Sequence, residues 1–111
     1  MLTIEKLRSF GANVDEALVR CMNKEDFYLR LVNMAINDTK LTELEQQLSN
    51  NDLDSAFETA HALKGVYSNL SLTPLTIPIS EMVSLLRNKT DTDYSKLLNE
   101  AKTQFQILCN L

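Results

Sequence analysis

Several kinds of residue are scarce in this chain, and each scarcity narrows the class of protein. The 111 residues include two glycines, two prolines, two cysteines and no tryptophan. Tight turns between strands favour Gly or Asn-Gly, so a chain with this little glycine is expected to form long helices. No apolar run approaches the roughly 20 residues of a membrane span, and the first residues lack the apolar segment of a signal peptide. We therefore expect a helical protein of the cytoplasm without a membrane partner.

The cysteines and the single histidine are too few for the usual metal and catalytic sites. Cys21 and Cys109 lie far apart without C-x-x-C spacing, which is typical of free thiols in a reducing compartment. One histidine and two distant cysteines cannot form a usual zinc site. Ser68, seven residues after His61, would lie roughly 10 Å further along a helix, too far for a Ser-His pair. With no phosphate-binding glycine loop either, we expect no ATP binding, no enzyme activity, no metal and no cofactor.

Charge excludes two further classes of partner. Eleven basic residues are scattered among fifteen acidic ones, and the formal net charge is −4. A surface that binds a phosphate backbone needs clustered Lys and Arg, so nucleic acid and anionic membrane are poor candidates. The chain is 44% hydrophobic and 23% charged, an ordinary globular composition. Its length, without repeats or linkers, predicts one domain over residues 1–111.

The spacing of apolar residues predicts helices along almost the whole chain. A short helix is expected over about 4–10, ending near Gly11, and the next two apolar stripes belong either to one broken helix or to two. Such helices with short loops predict an all-α fold: an antiparallel up-down four-helix bundle with one or two short additional N-terminal helices. The stripes are Val14, Leu18, Cys21 and Met22; Phe27, Leu31, Met34 and Ala35; Leu41, Leu44 and Leu48; Met82, Leu85 and Leu86; and Leu97, Ala101, Phe105 and Leu108.

Residues that favour caps mark where these helices begin. Asn13 and Asn23 are each followed three residues later by an acidic residue, a variant of the capping box, so both are expected N-caps. Asp52 is expected to cap the helix that contains the histidine. The last helix is expected to begin near Asp91–Asp93, whose carboxylates suit a helix N-terminus.

The two prolines fall in one helix. Thr73 and Pro74 are typical of the N-cap and of the first helical position, where a proline loses no hydrogen bond. Pro78, four residues further on, would remove a real backbone hydrogen bond. We therefore expect the helix either to kink or to start at Pro78.

The helix that follows Asp52 carries the only histidine and then a glycine, which costs about 1 kcal/mol relative to alanine inside a helix. At about 100° per residue its apolar residues occupy an arc of roughly 140°, and His61 lies roughly 130° from the centre of that arc. His61 is therefore expected to point to solvent, with Gly65 and Ser68 beside it and Lys64 at the edge of the apolar face. The arc comprises Leu53, Ala56, Phe57, Ala60, Leu63, Tyr67 and Leu70.

This arrangement suggests phosphoryl chemistry. An exposed imidazole is a competent nucleophile near neutral pH, and a lysine one turn away could attract a phosphoryl group. A missing side chain at Gly65 would let another protein approach closely. Taken singly, each residue has an ordinary explanation: an exposed histidine usually has no role, an exposed lysine is usually solvated, and a glycine can be tolerated.

The segment AHALKGVYSNL resembles the H-x-x-K-G signature of histidine-phosphotransfer (HPt) domains, the phosphate-carrying intermediates of phosphorelays. The segments DEALVRCMNKEDFYLRLV and LDSAFETAHALKG are similar to the helix pair upstream and to the approach to the histidine in that family. The resemblance covers roughly residues 10–110. It implies an up-down four-helix bundle with an extra N-terminal helix, in agreement with the pattern above.

By position, the resemblance implies that His61 accepts the phosphoryl group, that Lys64 lies beside it and that Gly65 leaves room for the docking partner. Ser68 is expected to belong to the same docking surface. Glu58 could form a hydrogen bond with the imidazole and so raise its basicity. The chain departs from the family where it has Ser71 in place of a glycine, Val83 in place of a glutamate, and Pro78. These departures bear on the turn after Leu70 and not on the phosphate site.

The implied function is that of a monomeric phosphocarrier between receiver-domain aspartates, its partner being the receiver of a response regulator or of a hybrid histidine kinase. In this mechanism the receiver supplies the magnesium ion, so the chain itself needs no cofactor. One alternative is a helical-bundle interaction module that works without phosphate, for which a missing histidine would be the mark. Another is a phosphotransfer domain cut from a kinase, although Met1 and the end at Leu111 favour a self-standing protein.

Overall fold

The structure, a computed structural model, describes residues 1–111 and contains helices but no strands, so the predicted all-α fold is confirmed. No helix is both long enough and apolar enough to cross a membrane. In chain order the seven helices are α1 (Ile4–Phe10), α2 (Val14–Arg20), α3 (Glu25–Ile36), α4 (Lys40–Ser49), α5 (Leu53–Asn69), α6 (Thr73–Arg87) and α7 (Ser95–Cys109).

Four antiparallel arms form the bundle, and α3 and α4 together make the first arm. The start of α3 lies at the end of α5, where the Tyr28 hydroxyl donates a hydrogen bond to the Leu70 carbonyl at 2.8 Å. Further along, Leu31 and Ala35 line one hollow with Val66, and α4 then packs against α5. Because α5, α6 and α7 follow with short connections and pack in sequence, the arms alternate in direction. The up-down bundle is confirmed, with α1 and α2 as two short additional helices.

The core is one continuous cluster of 26 buried residues that extends from Ile4 to Leu108. Its largest fully buried side chains are Tyr28 and Tyr67, and the only buried polar residue is Ser71. Burial raises the pKa of the Tyr28 hydroxyl to about 12. All four arms and both short helices contribute to this cluster, so the histidine helix is held from several sides.

The predicted N-caps are confirmed at Asn13 and Asp52 and are wrong at Asn23 and Thr73. The Asn13 side chain accepts a hydrogen bond from the Glu16 amide, and the Asp52 side chain accepts one from the Ser55 amide. Asn23 is not an N-cap: α3 begins after Lys24, which makes no side-chain cap. The chain leaves α2 through Met22 and Asn23, both with φ near +58°. These left-handed residues form the turn after α2, and Asn23 lies one residue before the N-cap position of α3, which Lys24 occupies.

The predicted stripe of α3 is rotated by about one residue from the observed one. Phe27 and Met34 are 42% and 64% exposed, whereas Tyr28 and Val32 are fully buried. Ala35 is buried as expected. The tyrosine hydroxyl can be buried because the Leu70 carbonyl accepts its hydrogen bond, and a reading by hydrophobicity alone misses that partner.

The last two helices begin at slightly different residues from those predicted. α6 begins at Thr73 with Leu72 as N-cap, so Pro74 takes the second helical position, and Pro78 lies buried inside the helix rather than at its start. α7 begins at Ser95, and Asp93 accepts a hydrogen bond from the Ser95 amide at 2.9 Å. In α7, Ala101 and Leu108 are buried as predicted and Leu98 is buried as well, whereas Leu97 and Phe105 are only partly buried. Val83 is 1% exposed and belongs to the core.

Candidate functional site

The middle of α5 carries the candidate site because its two faces differ sharply. The Asp52 cap starts the helix, and Ala56, Ala60, Leu63 and Tyr67 bury one face in the core. His61 lies on the opposite face and is exposed, as the helical wheel predicts. The backbone around His61 is therefore fixed by core packing while the imidazole stays accessible to another protein.

Lys64, Gly65 and Ser68 lie on the turns that follow His61. Lys64 and Ser68 are partly buried and Gly65 is exposed. Lys64 forms no ion pair, although Arg8, Arg20 and other basic residues do. An ammonium group that no carboxylate neutralises is free to meet an incoming anion.

Gly65 has no internal packing reason to be a glycine. A Cβ atom built on it would meet nothing within 4 Å, and its backbone is not in the left-handed region. Alanine would therefore fit and would favour the helix by about 1 kcal/mol. What the glycine gives this chain is a flat, open stretch of helix surface one turn from His61.

The histidine ring contacts an aromatic side chain one turn earlier on α5. The rings of Phe57 and His61 are stacked, with centroids 5.7 Å apart and an angle of 5° between their planes. The guanidinium carbon of Arg87, from the last turn of α6, lies 5.8 Å from the centroid of Phe57. Glu58 is exposed and forms no hydrogen bond to His61, so the bond considered for that residue is not observed.

Sequence reasoning missed the roles of Phe57 and Arg87. It placed Phe57 in the apolar arc, and the residue is indeed partly buried against the core. The four-residue spacing of Phe57 and His61 is the one at which helical side chains touch, so that contact could have been found. Arg87 belongs to another helix, and nothing in the local sequence places it over Phe57.

The turn after α5 is a Schellman motif with Ser71 at the position that favours glycine. The Leu72 amide donates to the Tyr67 carbonyl, the Ser71 amide donates to the Ser68 carbonyl, and Ser71 has φ of +53°. The departure at Ser71 therefore keeps the turn that a glycine would form.

Side chains from α2 hold this turn. The Ser71 hydroxyl donates to a Glu16 carboxylate oxygen at 2.8 Å and accepts a hydrogen bond from Arg20 at 3.0 Å. Arg20 also donates to the Asn69 carbonyl at 2.9 Å, at the negative end of the helix dipole. Two hydrogen bonds hold the pKa of the Glu16 carboxyl below its usual value, and the bond from Ser71 has a larger effect than the bond from Arg20. The short helix α2 is thereby tied to the end of the histidine helix.

No group of three or more His, Cys, Asp or Glu side chains is placed to hold a metal ion. Cys21 is buried and Cys109 is exposed, and the two are not bonded to each other. The chemistry available on this surface is that of one imidazole with nearby cations.

Comparison with known proteins agrees with this fold. The family model described as Hpt domain matches residues 35–110, which is more than half of the chain; α1, α2 and all of α3 except its last two residues lie outside the match. No curated protein and no solved structure matches the chain. Hpt domains carry out histidine phosphotransfer in two-component signalling, where they act as phosphocarriers. This chain belongs to the Hpt domain family.

Proposed function

We propose that this chain carries a phosphoryl group on His61 and exchanges it with a receiver-domain aspartate in a two-component phosphorelay. The observation that supports this most strongly is the exposed imidazole in the middle of α5, with an unpaired Lys64 and an open surface at Gly65 one turn away. The partner is the receiver domain of a response regulator or of a hybrid histidine kinase. The chain acts as a monomeric cytoplasmic carrier and is not itself an enzyme.

The transfer needs only one nucleophilic nitrogen from this chain. In a neutral imidazole one ring nitrogen has a free lone pair and the other carries the proton. The lone pair attacks the phosphorus of the receiver's aspartyl phosphate. An N–P bond forms while the P–O bond to the aspartate breaks, and the electron pair of that bond returns to the carboxylate. The other nitrogen keeps its proton, and return of the phosphoryl group follows the same path backwards.

Positioning and charge account for most of the rate of such a transfer. Lys64 supplies positive charge rather than a proton: the residue is partly buried, so its stem can lie against the core while its ammonium group reaches outward. Hydrogen bonds between an ammonium group and phosphoryl oxygens are strengthened by charge. The receiver brings the magnesium ion.

Gly65 and Ser68 form the docking surface in this proposal. The open backbone at Gly65 lets the receiver approach His61 without meeting a side chain. Ser68, one turn further, is partly buried and adds little bulk. The whole of residues 1–111 works as one domain, because the core cluster runs from Ile4 to Leu108.

Transfer of radioactive label from phosphorylated receiver domains tests this proposal. We expect acid-labile label on the wild-type chain, as for phosphohistidine, and none on His61→Gln. The variant should keep the helical circular dichroism of the wild type, because the imidazole is exposed. Label on the Gln variant would place the phosphoryl group elsewhere. Binding of the receiver with no labelling of the wild type would favour the module that works without phosphate.

A further inference from the structure

We propose that Phe57 is a positioning residue that holds the His61 imidazole in the orientation needed for attack; this rests on the function proposed above. The two rings are parallel within 5° and their centroids are 5.7 Å apart, an offset-stacked geometry. His61 forms no ion pair that could orient it instead. The stack is the contact that selects one orientation of an otherwise exposed ring.

Phe57 can do this because its own position is fixed. It lies one turn before His61 on α5 and packs partly against the core, and these contacts restrain its ring. Arg87 approaches the same ring to 5.8 Å from α6, and this guanidinium forms no ion pair. A cation over an aromatic face is attracted to it, which further restrains the ring.

An orientation held before the receiver arrives raises the rate of transfer rather than the strength of docking. A free imidazole would sample several side-chain rotamers, and only part of the population would direct a nitrogen at the phosphorus. Stacking leaves the ring edge, where the nitrogens lie, open to solvent while it covers one face. Loss of the stack should therefore lower the rate at saturation and leave the half-saturating receiver concentration nearly unchanged.

Three variants separate positioning from packing. Phe57→Tyr keeps an aromatic ring, and Phe57→Leu keeps apolar bulk but loses the stack. Phe105→Leu is the matched control, because Phe105 is also a partly buried phenylalanine but lies on α7. Both leucine variants are expected to lose some thermal stability. Only Phe57→Leu is expected to lose rate.

Rates are measured in a single turnover at increasing concentrations of phosphorylated receiver, and also with phosphoramidate, a small donor that needs no docking surface. For Phe57→Leu we expect the limiting rate to fall about three- to tenfold with both donors, the factor that corresponds to one aromatic contact. Phe57→Tyr should retain most of the rate. Equal rates for the wild type and Phe57→Leu would overturn the proposal, as would a change confined to half-saturation.

Proton NMR gives a readout that packing alone would not move. His61 is the only histidine, so its ring C–H signals are unambiguous. We expect the Phe57 ring current to shift these signals away from their chemical shifts in a free peptide. In Phe57→Leu the signals should return to the free-peptide values, whereas in Phe105→Leu they should stay shifted. Unshifted signals in the wild type would contradict the stack. If the wild type accepts no label from either donor, the proposed function itself fails; normal labelling with an unaffected Phe57→Leu variant rejects this inference alone.

Discussion

At the scale of single residues, the two glycines differ in whether the fold explains them. Glycine inside a helix costs stability, and structures usually show a reason in a close approach or a left-handed backbone. Gly11 has both, with φ of +111° and a Pro74 side-chain carbon 3.0 Å from where its Cβ would lie. Gly65 has neither. The fold therefore gives no reason for a glycine at position 65, which supports its proposed role in docking.

We expect substitution of Gly65 to raise stability while it blocks transfer. Gly65→Ala should gain up to about 1 kcal/mol of unfolding free energy, and Gly65→Leu should be at least as stable as the wild type. The leucine side chain would occupy the surface that the receiver approaches, so the transfer rate of Gly65→Leu should fall sharply. The transfer rate of Gly65→Ala should lie between those of the wild type and Gly65→Leu.

Chemical unfolding and label transfer on the same samples check this expectation. Thr103→Leu is the control, since Thr103 is exposed on α7, an arm that packs on α6 and α3 rather than beside His61. It places the same leucine side chain at an exposed helix position away from His61 and should transfer normally. A Gly65→Leu variant that transfers like the wild type would remove the docking role from Gly65.

At the scale of elements, the chain ends its helices in the same way with different residues. A left-handed residue follows α4, α5 and α6, and these residues are Asn51, Ser71 and Lys89. After each, the next amide donates back into the last turn of the helix, as in the Schellman motif. Scarce glycine indeed predicts helices, but it does not mean that the chain avoids backbone conformations that favour glycine.

We expect glycine at two of these positions to have opposite effects. Lys89 is exposed and forms one exposed ion pair with Asp54 at 3.3 Å, which contributes little. Lys89→Gly should therefore relieve the left-handed strain and gain up to about 1 kcal/mol. Ser71→Gly relieves the same strain but loses the hydrogen bonds to Glu16 and Arg20, each worth about 1 kcal/mol, so it should gain nothing or lose stability.

Urea unfolding of both glycine variants and of Ser71→Ala measures how much the backbone strain and the hydrogen bonds each change the free energy of unfolding. The alanine variant keeps the strain and loses the hydrogen bonds, so we expect it to be the least stable of the three. A Ser71→Gly variant as stabilised as Lys89→Gly would show that the bonds from α2 contribute nothing.

What the sequence could predict follows from how local each signal is. The direction of His61 depends only on the periodicity of α5, and the caps at Asn13 and Asp52 depend on three-residue spacings; all were predicted correctly. The stripe of α3 was misplaced because Tyr28 is buried by a partner at the end of α5. Arg87 reaches Phe57 only after α6 folds back on α5. Errors therefore arise where a residue's environment comes from another helix.

At the scale of the whole molecule, acid should weaken the fold partly through Glu16. Hydrogen bonds hold the pKa of this carboxyl below its ordinary value of 4.5. A group with a lowered folded-state pKa stabilises the fold above its unfolded pKa, and this contribution is lost as the pH falls through the folded-state pKa. The unfolding free energy should therefore decline as the pH falls below about 4.5.

The contribution of Glu16 is read from the slope of that decline. Glu16→Gln should be less stable than the wild type at neutral pH and should lose less stability on acidification, because it has no charge to lose. The control is Glu100→Gln, since Glu100 is exposed on α7 and forms no ion pair. The control should follow the wild type at every pH. Parallel curves for Glu16→Gln and the wild type would exclude a role for Glu16.

The position of Lys6 in α1 has a consequence for the connectivity of the bundle. Its ammonium group donates to the Met1 carbonyl and to the Leu111 carbonyl, each at 2.8 Å, so residues 1 and 111 lie side by side. Adjacent termini can be joined and the chain opened at another exposed connection, a circular permutation, without a change in how the helices pack. The exposed connection at 91–93 would serve as well as the present opening. In such a circular permutant α5 would keep all its neighbours, so the environment of His61 depends on which helices adjoin and not on their order along the chain.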